Sequence, residues 1–137
     1  MESRTVIVLA DSSVWIDFLR QAPGNVPELE LALREGRAAI CPVVWVELWS
    51  GVRGKAEAAA LQEMRGLCLP LEIDAAAWQR AADLNRAAVL NGLNCPLADV
   101  LIVACASRHG AGVLHRDKHI GALLALAADP GARGSPQ

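Results

Sequence analysis

Short apolar segments alternate with helix-like segments along this chain, and this alternation most constrains its fold. Residues 6–10 are apolar throughout, as in a parallel strand that is buried on both faces. Further strand-like segments at residues 38–41, 68–73 and 112–115 are separated by stretches that carry helix start and stop signals. This order predicts an α/β domain with a parallel central sheet of about four to five strands, flanked by helices on both faces. Pro70 cannot donate a hydrogen bond to a neighbouring strand, so we expect the third strand at an edge.

Proline, glycine and small polar residues mark where the helices begin and end. They predict helices over about residues 12–20, 27–35, 42–51, 57–65, 74–90 and 96–109, with a turn at residues 23–25. Residues 120–127 are apolar and fit either a short helix or a strand. Residues 130–137 are rich in Gly, Ser and Pro, which favours a flexible tail after a single domain over residues 1–129.

Composition narrows the class of protein. The chain has 137 residues, of which 53 % are hydrophobic and 20 % charged, as in a globular domain and unlike a disordered one. The apolar runs are far shorter than the roughly 20 residues that cross a bilayer, and the first is too short for a signal-peptide core. We therefore expect a cytoplasmic protein without a membrane segment. The four cysteines have no C-x-x-C spacing, which argues against a structural zinc site.

Four acidic residues lie where strands give way to helices: Asp11, Glu47, Asp99 and Asp117. Each is within or next to an apolar segment, where a carboxylate without a partner is unfavourable. Ligands of open parallel sheets bind beyond the carboxyl ends of the strands, so all four side chains are expected at one edge. A shared divalent cation would relieve their mutual repulsion, and ligands that are all oxygen favour Mg²⁺ or Mn²⁺.

Each of these acids also has an ordinary structural interpretation. Asp11 could cap a helix, and Glu47 could be a solvated helix residue. Asp99 could interact with the helix dipole, and Asp117 could be a turn residue between basic neighbours. Four acids in this order, at these junctions, indicate a common site more strongly than any one of them alone. The net charge of −2 gives no basic excess for nucleic-acid binding, but metal ions would neutralise such a pocket.

Four segments around these acids resemble the motifs of a known family. Residues 11–17, Asp-Ser-Ser-Val-Trp-Ile-Asp, resemble the D-[ST]-[SN]-x-x-[IL] opening of PIN-domain nucleases. Residues 46–51 resemble their E-L-x-x-G segment, and residues 96–104 resemble their x-x-D-x-x-I-A-A helix. Residues 116–118 resemble the T-x-D-x-D-F segment. The resemblance spans about residues 5–120, and the length and motif order are most similar to VapC-type toxins of type II toxin–antitoxin systems.

This resemblance implies a PIN-like fold and an Mg²⁺-dependent endoribonuclease, in which Mn²⁺ may replace Mg²⁺. It implies that Asp11 and Asp99 bind the metal directly, and that Glu47 and Asp117 complete the site. A water activated by the metal would then hydrolyse an RNA phosphodiester bond. The resemblance also implies an RNA substrate, a cognate antitoxin and a homodimer.

Three further residues are candidates for contacts with substrate. Ser13 could hydrogen-bond a phosphate or a water on the metal, or it could only cap the first helix. Arg116 and Lys118 could contact RNA phosphates, or they could be solvated charges of a turn.

The fourth segment departs from the family pattern. His115 stands where the family usually has Thr or Ser, His119 stands where many members have a second Asp, and Ile120 replaces Phe. We interpret the two histidines as packed or surface residues in preference to general bases. The departures motivate an alternative function, a PIN-fold binding module without catalytic activity.

Two other classes with clustered acids fit less well. A phospho-receiver domain needs an adjacent acidic pair after its first strand and an acceptor Asp after a middle strand. Here Asp11 is followed by Ser12, and Cys41 stands after the second strand. A haloacid-dehalogenase-type phosphatase needs an acid at the position of Ser13.

The tryptophans allow a separate inference. Trp45 and Trp49 are four residues apart and therefore share a helix face, roughly 200° away from Glu47. The pair is expected to point away from the acidic pocket, either into the core or onto an apolar surface for a partner. Trp15 could belong to either.

Overall fold

A parallel sheet forms the centre of the computed structural model, which describes residues 6–20 and 25–129. Within those ranges there are four strands: β1 (Val8–Ala10), β2 (Ala38–Ile40), β3 (Leu69–Pro70) and β4 (Gly112–Leu114). Seven helices accompany them over the same ranges: α1 (Ser12–Arg20), α2 (Pro27–Arg34), α3 (Pro42–Ser50), α4 (Lys55–Gly66), α5 (Ala75–Leu90), α6 (Leu97–His109) and α7 (Lys118–Ala128).

The order of the strands positions everything that follows. It is β3-β2-β1-β4, and every pairing is parallel. The chain forms β1, β2 and β3 side by side in that order, and it then returns to form β4 on the other side of β1. Because such crossovers are right-handed, α1 to α4 cover one face of the sheet, and α5 and α6 cover the other. The order therefore reverses between β1 and β4, and a crevice forms at the carboxyl ends of strands at such a point.

Helix α6 has a continuous buried segment at its centre. Every residue from Val100 to Ala106 is buried. Ile102 and Cys105 pack in a cluster around β1 and β2, while Val100 and Val103 pack in a second cluster with α5 and α7. A helix that is apolar all round belongs in a protein interior, and each buried aliphatic side chain contributes about 1.5–3 kcal/mol. The start of α6 is accordingly a rigid platform for any side chain that it carries.

Most of the predicted elements are present, with small differences at their ends. The strands are shorter than their apolar segments, and β3 lies at an edge, as Pro70 led us to expect. The fourth helix begins at Lys55 and includes Gly66, where its end was predicted. Residues 120–127, which fitted either a short helix or a strand, form a helix, because Asp117 caps α7, which begins at Lys118.

Two predictions lie wholly or partly outside the described residues. They are the tail at residues 130–137 and most of the turn at residues 23–25. Within the described ranges, no helix is both long enough and apolar enough to span a membrane.

Candidate active site

Asp11 joins β1 and β4 at their carboxyl ends. Its backbone N–H donates to the carbonyl oxygen of Leu114 at 3.0 Å, which links the end of β1 to the end of β4. Its Oδ1 accepts from Ser13 Oγ at 2.9 Å and from the N–H of Val14 at 3.0 Å, so the side chain also caps α1. Asp11 is only 5 % exposed. Both hydrogen bonds fall on Oδ1, so Oδ2 has no hydrogen-bond partner among the described residues.

Glu47 reaches the same end of the sheet from α3. The hydroxyl of Ser12 donates to Glu47 Oε1 at 2.8 Å, which connects α1 to α3 across 35 positions of sequence. Glu47 is otherwise solvent-exposed, and this bond gives its carboxylate a defined position. Sequence reasoning identified Glu47 but missed the role of Ser12, whose only signal was its place beside Asp11.

Asp99 projects from the first turn of α6 and is half-buried. Its carboxylate accepts no hydrogen bond from any described residue. Partial burial raises the pKa of Asp99, and the negative charges of Asp117, Glu47 and Asp11 raise it further, while His119 opposes them. The charges of the other three predicted acids thus act on Asp99, but among the described residues only Asp117 shares a group of close metal-ligating atoms with it.

Asp117 follows β4 and caps α7. Its Oδ1 accepts from the N–H of His119 at 2.7 Å and of Ile120 at 3.2 Å. Partial burial favours the neutral acid, but these two backbone amides, together with His119 and His115, lower the pKa of Asp117 below its usual value. The N–H of Asp117 donates to His115 Nδ1 at 3.2 Å. The interpretation of Asp11 as a helix cap therefore holds, and Asp117, which could have been only a turn residue, caps a helix as well.

A histidine completes the cluster. Asp99, Asp117 and His119 each have one potential metal-ligating atom, and these three atoms lie within 4.8 Å of one another. His119 Nδ1 is 3.5 Å from Asp117 Oδ1. Sequence reasoning assigned His119 to packing or the surface. The available signal was its position, at which the resembling family often carries an acid.

The three candidates for substrate contacts differ in their partners. Ser13 uses its hydroxyl proton on Asp11 and thereby orients that carboxylate. Arg116 forms an ion pair with Asp17 on α1, so its charge is already partnered. Lys118 is exposed in the first turn of α7 and forms no ion pair with a described residue.

An apolar groove of about 230 Å³ lies next to the acids, between α1, α3 and the start of α4. Ile16 and Leu19 line it from one side, and Leu48 and Leu61 line it from the other. Glu47 is also among its lining residues, so the groove borders one of the four acids.

The tryptophan pair lies away from this groove. Trp45 and Trp49 stack with their ring centroids 5.2 Å apart, and the Arg65 guanidinium carbon lies 4.1 Å from the centroid of Trp45. Trp45 is half-buried and packs against the core, whereas Trp49 is 40 % exposed. Trp15 is fully buried in the core.

The chemistry of the donor set suits a hard divalent cation. Asp11 Oδ2 and the Asp99 carboxylate lack hydrogen-bond donors within the described residues, and the nearby guanidinium of Arg116 is occupied by Asp17. Such like-charged oxygens, held together by the fold, are the ligands that Mg²⁺ and Mn²⁺ take.

Comparison with known proteins gives this arrangement a family. The family model of the PIN domain matches residues 8–123, which include all four acids. This chain belongs to the PIN domain family. The resemblance to PIN-domain proteins of the VapC type is thereby confirmed. VapC ribonuclease Mb1587 of Mycobacterium bovis is 32 % identical to this PIN domain over 117 residues, which cover 81 % of this chain and 87 % of the relative. Ribonuclease VapC11 of Mycobacterium tuberculosis has the same identity and coverage.

Solved structures confirm the predicted fold. DNA-bound VapBC from Salmonella typhimurium aligns with a TM-score of 0.74 at 16 % identity, over 85 % of this PIN domain and 91 % of that chain. VapBC2 from Rickettsia felis, bound to a DNA fragment from its promoter, aligns with a TM-score of 0.70 at 17 % identity, over 82 % and 100 % of the respective chains.

Proposed function

We propose that this PIN domain is a metal-dependent endoribonuclease and the toxin of a toxin–antitoxin pair. The proposal is supported by the close approach of Asp99 and Asp117, by the effect of the Glu47 and Asp11 charges on Asp99, and by oxygens of Asp11 and Asp99 that accept no hydrogen bond from a described residue. Two relatives at 32 % identity are named as VapC ribonucleases, which supports RNA as the substrate.

The four acids hold a divalent cation, Mg²⁺ or Mn²⁺, with Asp11 and Asp99 as direct ligands. When bound, such a cation makes a water acidic enough to attack a phosphodiester near neutral pH and offsets the charge of the phosphate. Ser13 keeps the Asp11 carboxylate in place, and Ser12 does the same for Glu47.

Basic side chains beside the pocket bind the RNA backbone. Lys118 is free to contact a phosphate. Arg116 reaches a phosphate only by exchanging it for its present partner, Asp17. We therefore assign Lys118 the larger share of phosphate binding.

The test is RNA cleavage by purified protein that is free of antitoxin. Cleavage with Mg²⁺ or Mn²⁺ should stop in EDTA, and Asp11→Asn and Asp99→Asn should each reduce it by at least about 100-fold. Asp83→Asn, an exposed change on α5, is the matched control and should cleave normally. Equal cleavage by the wild type in EDTA would refute the metal mechanism. Mapping cleavage sites in total cellular RNA for the wild type and for Asp11→Asn would then identify the substrate.

The apolar groove is the docking site that we propose for an antitoxin segment. Structural neighbours of this PIN domain include chains described as VapBC, a toxin–antitoxin family. An apolar segment bound in the groove would lie against Glu47 and thus beside the acids. We also propose a homodimer, which sedimentation velocity would detect.

A charge placed in the groove separates inhibition from catalysis. Leu19 lines the groove and is 45 % exposed, whereas Leu31 on α2 is 46 % exposed and lies outside the groove lining. In an assay with added cognate antitoxin, Leu19→Arg should cleave RNA but escape inhibition. Leu31→Arg should stay inhibited, and equal inhibition of both variants would contradict the assignment.

A further inference from the structure

We infer that His119 is a direct ligand of the metal, so that the site combines carboxylate oxygens with an imidazole nitrogen and selects Mn²⁺ over Mg²⁺. This inference rests on the proposed function, because it presumes that a divalent cation binds among the acids. It adds a ligand of a different chemical kind and, with it, the identity of the preferred cation.

The first support is convergence. The set of Asp99, Asp117 and His119 is the one place, within the described ranges, where three potential metal-ligating side chains meet within 4.8 Å. The two carboxylates come from α6 and from the end of β4, so the imidazole joins a set that the fold itself assembles.

The second support is that the imidazole of His119 is available. Its ring forms no hydrogen bond with a described residue, and its closest approach to an acid is the 3.5 Å between Nδ1 and Asp117 Oδ1. The other histidines have partners. His115 Nδ1 accepts from the N–H of Asp117, and His109 Nε2 contacts the carbonyl oxygen of Glu72 at 2.8 Å.

The third support is that the backbone fixes the position of His119. Its N–H donates to Asp117 Oδ1 at 2.7 Å, which sets the first turn of α7. The next residue, Ile120, is fully buried in the cluster formed with α5 and α6. His119 is therefore held between a cap and a core anchor, and little order is lost when it binds a cation.

The donor set then decides the metal. Mg²⁺ binds oxygen ligands almost exclusively and keeps several waters, whereas imidazole suits transition metals. Of the two cations that the site is proposed to hold, Mn²⁺ is a transition-metal ion and accepts a nitrogen donor more readily than Mg²⁺ does. An acid in place of His119 would supply oxygen and a negative charge, and would favour Mg²⁺.

The experiment measures the metal directly and not through cleavage. Metal-free protein is titrated calorimetrically with Mn²⁺ and with Mg²⁺, and bound Mn²⁺ is probed by electron spin-echo envelope modulation, which detects a ligated nitrogen. The proteins compared are the wild type, His119→Gln, His119→Asp and the matched control His109→Gln. Circular dichroism confirms that each variant is folded.

The expected results are specific. The wild type and His109→Gln should show nitrogen modulation, whereas His119→Gln should lose it and bind Mn²⁺ at least about 10-fold more weakly. His119→Asp should lose the modulation and gain affinity for Mg²⁺ relative to Mn²⁺.

The failures are distinguishable. If the wild type binds Mn²⁺ without nitrogen modulation and His119→Gln binds it equally well, the inference is wrong and the proposed metal-dependent nuclease stands. If the wild type binds neither cation, both are overturned.

Discussion

Asp117 has two separable roles, and two substitutions at this position distinguish them. Its carboxylate accepts from the N–H groups of His119 and Ile120 and so caps α7, and it also stands among the proposed metal ligands. Asparagine is as good a cap as aspartate, but it lacks the charge that holds a cation. Alanine supplies neither. Asp117→Asn should therefore keep the fold and lose the metal, whereas Asp117→Ala should lose both the metal and part of the stability.

The size of the stability difference follows from the geometry of the cap. The replacement of a capping residue by alanine costs between about 0.5 and 2 kcal/mol. Asp117 makes one short bond of 2.7 Å and one longer bond of 3.2 Å, and its side chain is 40 % exposed. We therefore expect Asp117→Ala to unfold with about 1 kcal/mol less free energy than Asp117→Asn. Both substitutions remove the same repulsion with Asp99, so the difference between them isolates the cap.

Urea denaturation in EDTA measures this difference. With a slope of about 2 kcal/mol per molar urea, the midpoint of Asp117→Ala should lie about 0.5 M below that of Asp117→Asn. Calorimetry with Mn²⁺ should detect weakened binding in both. Equal midpoints would refute the capping argument, and wild-type Mn²⁺ affinity in Asp117→Asn would refute its role as a ligand.

Three further predictions concern charge in and around the pocket. The pKa of Asp99 is raised in the folded protein, so this group stabilises the metal-free fold below its unfolded pKa, and that contribution is lost as the pH rises through the folded pKa. In EDTA at pH 7, Asp99→Asn should therefore melt at a higher temperature than the wild type, and with Mn²⁺ it should melt at a lower temperature. The pKa of Cys95 is raised by partial burial and by the charges of Asp99 and Asp117. Saturating Mg²⁺ should offset those charges and so speed the reaction of Cys95 with a thiol reagent. Unchanged labelling would place the cation elsewhere. The pKa of Asp74 is lowered by the Ala77 N–H and by Arg108. Its contribution to stability is present above the unfolded pKa and should disappear as the pH falls through the folded pKa. Asp74→Asn should therefore lose less stability than the wild type on acidification from pH 5 to pH 2.

Much of the pocket could be predicted from the sequence, because a parallel sheet places its strand ends by local rules. Asp11 directly follows an apolar strand, and Asp99 follows a proline that starts a helix. Once the sheet was recognised as parallel, both were expected at one edge without knowledge of any long-range contact.

Contacts between distant segments could not be predicted in this way. The ion pair of Arg116 with Asp17 joins residues that are 99 positions apart, and no local sequence pattern predicts it. His119 lies close to the acids because of the way in which α7 packs against α6. No periodic pattern in the sequence predicts that packing. The same reason left residues 120–127 undecided, since a helix packed on several sides lacks a single apolar stripe.

The hydrogen bond from the Asp11 N–H to the Leu114 carbonyl oxygen has a consequence for biosynthesis. The first and last strands of the sheet pair side by side, so the crevice between them closes only after β4 has been translated. A nascent chain that has reached α6 carries Asp11, Glu47 and Asp99 but neither Asp117 nor its neighbouring strand. With the function that we propose, the growing chain would therefore lack a complete acidic site until β4 has paired with β1.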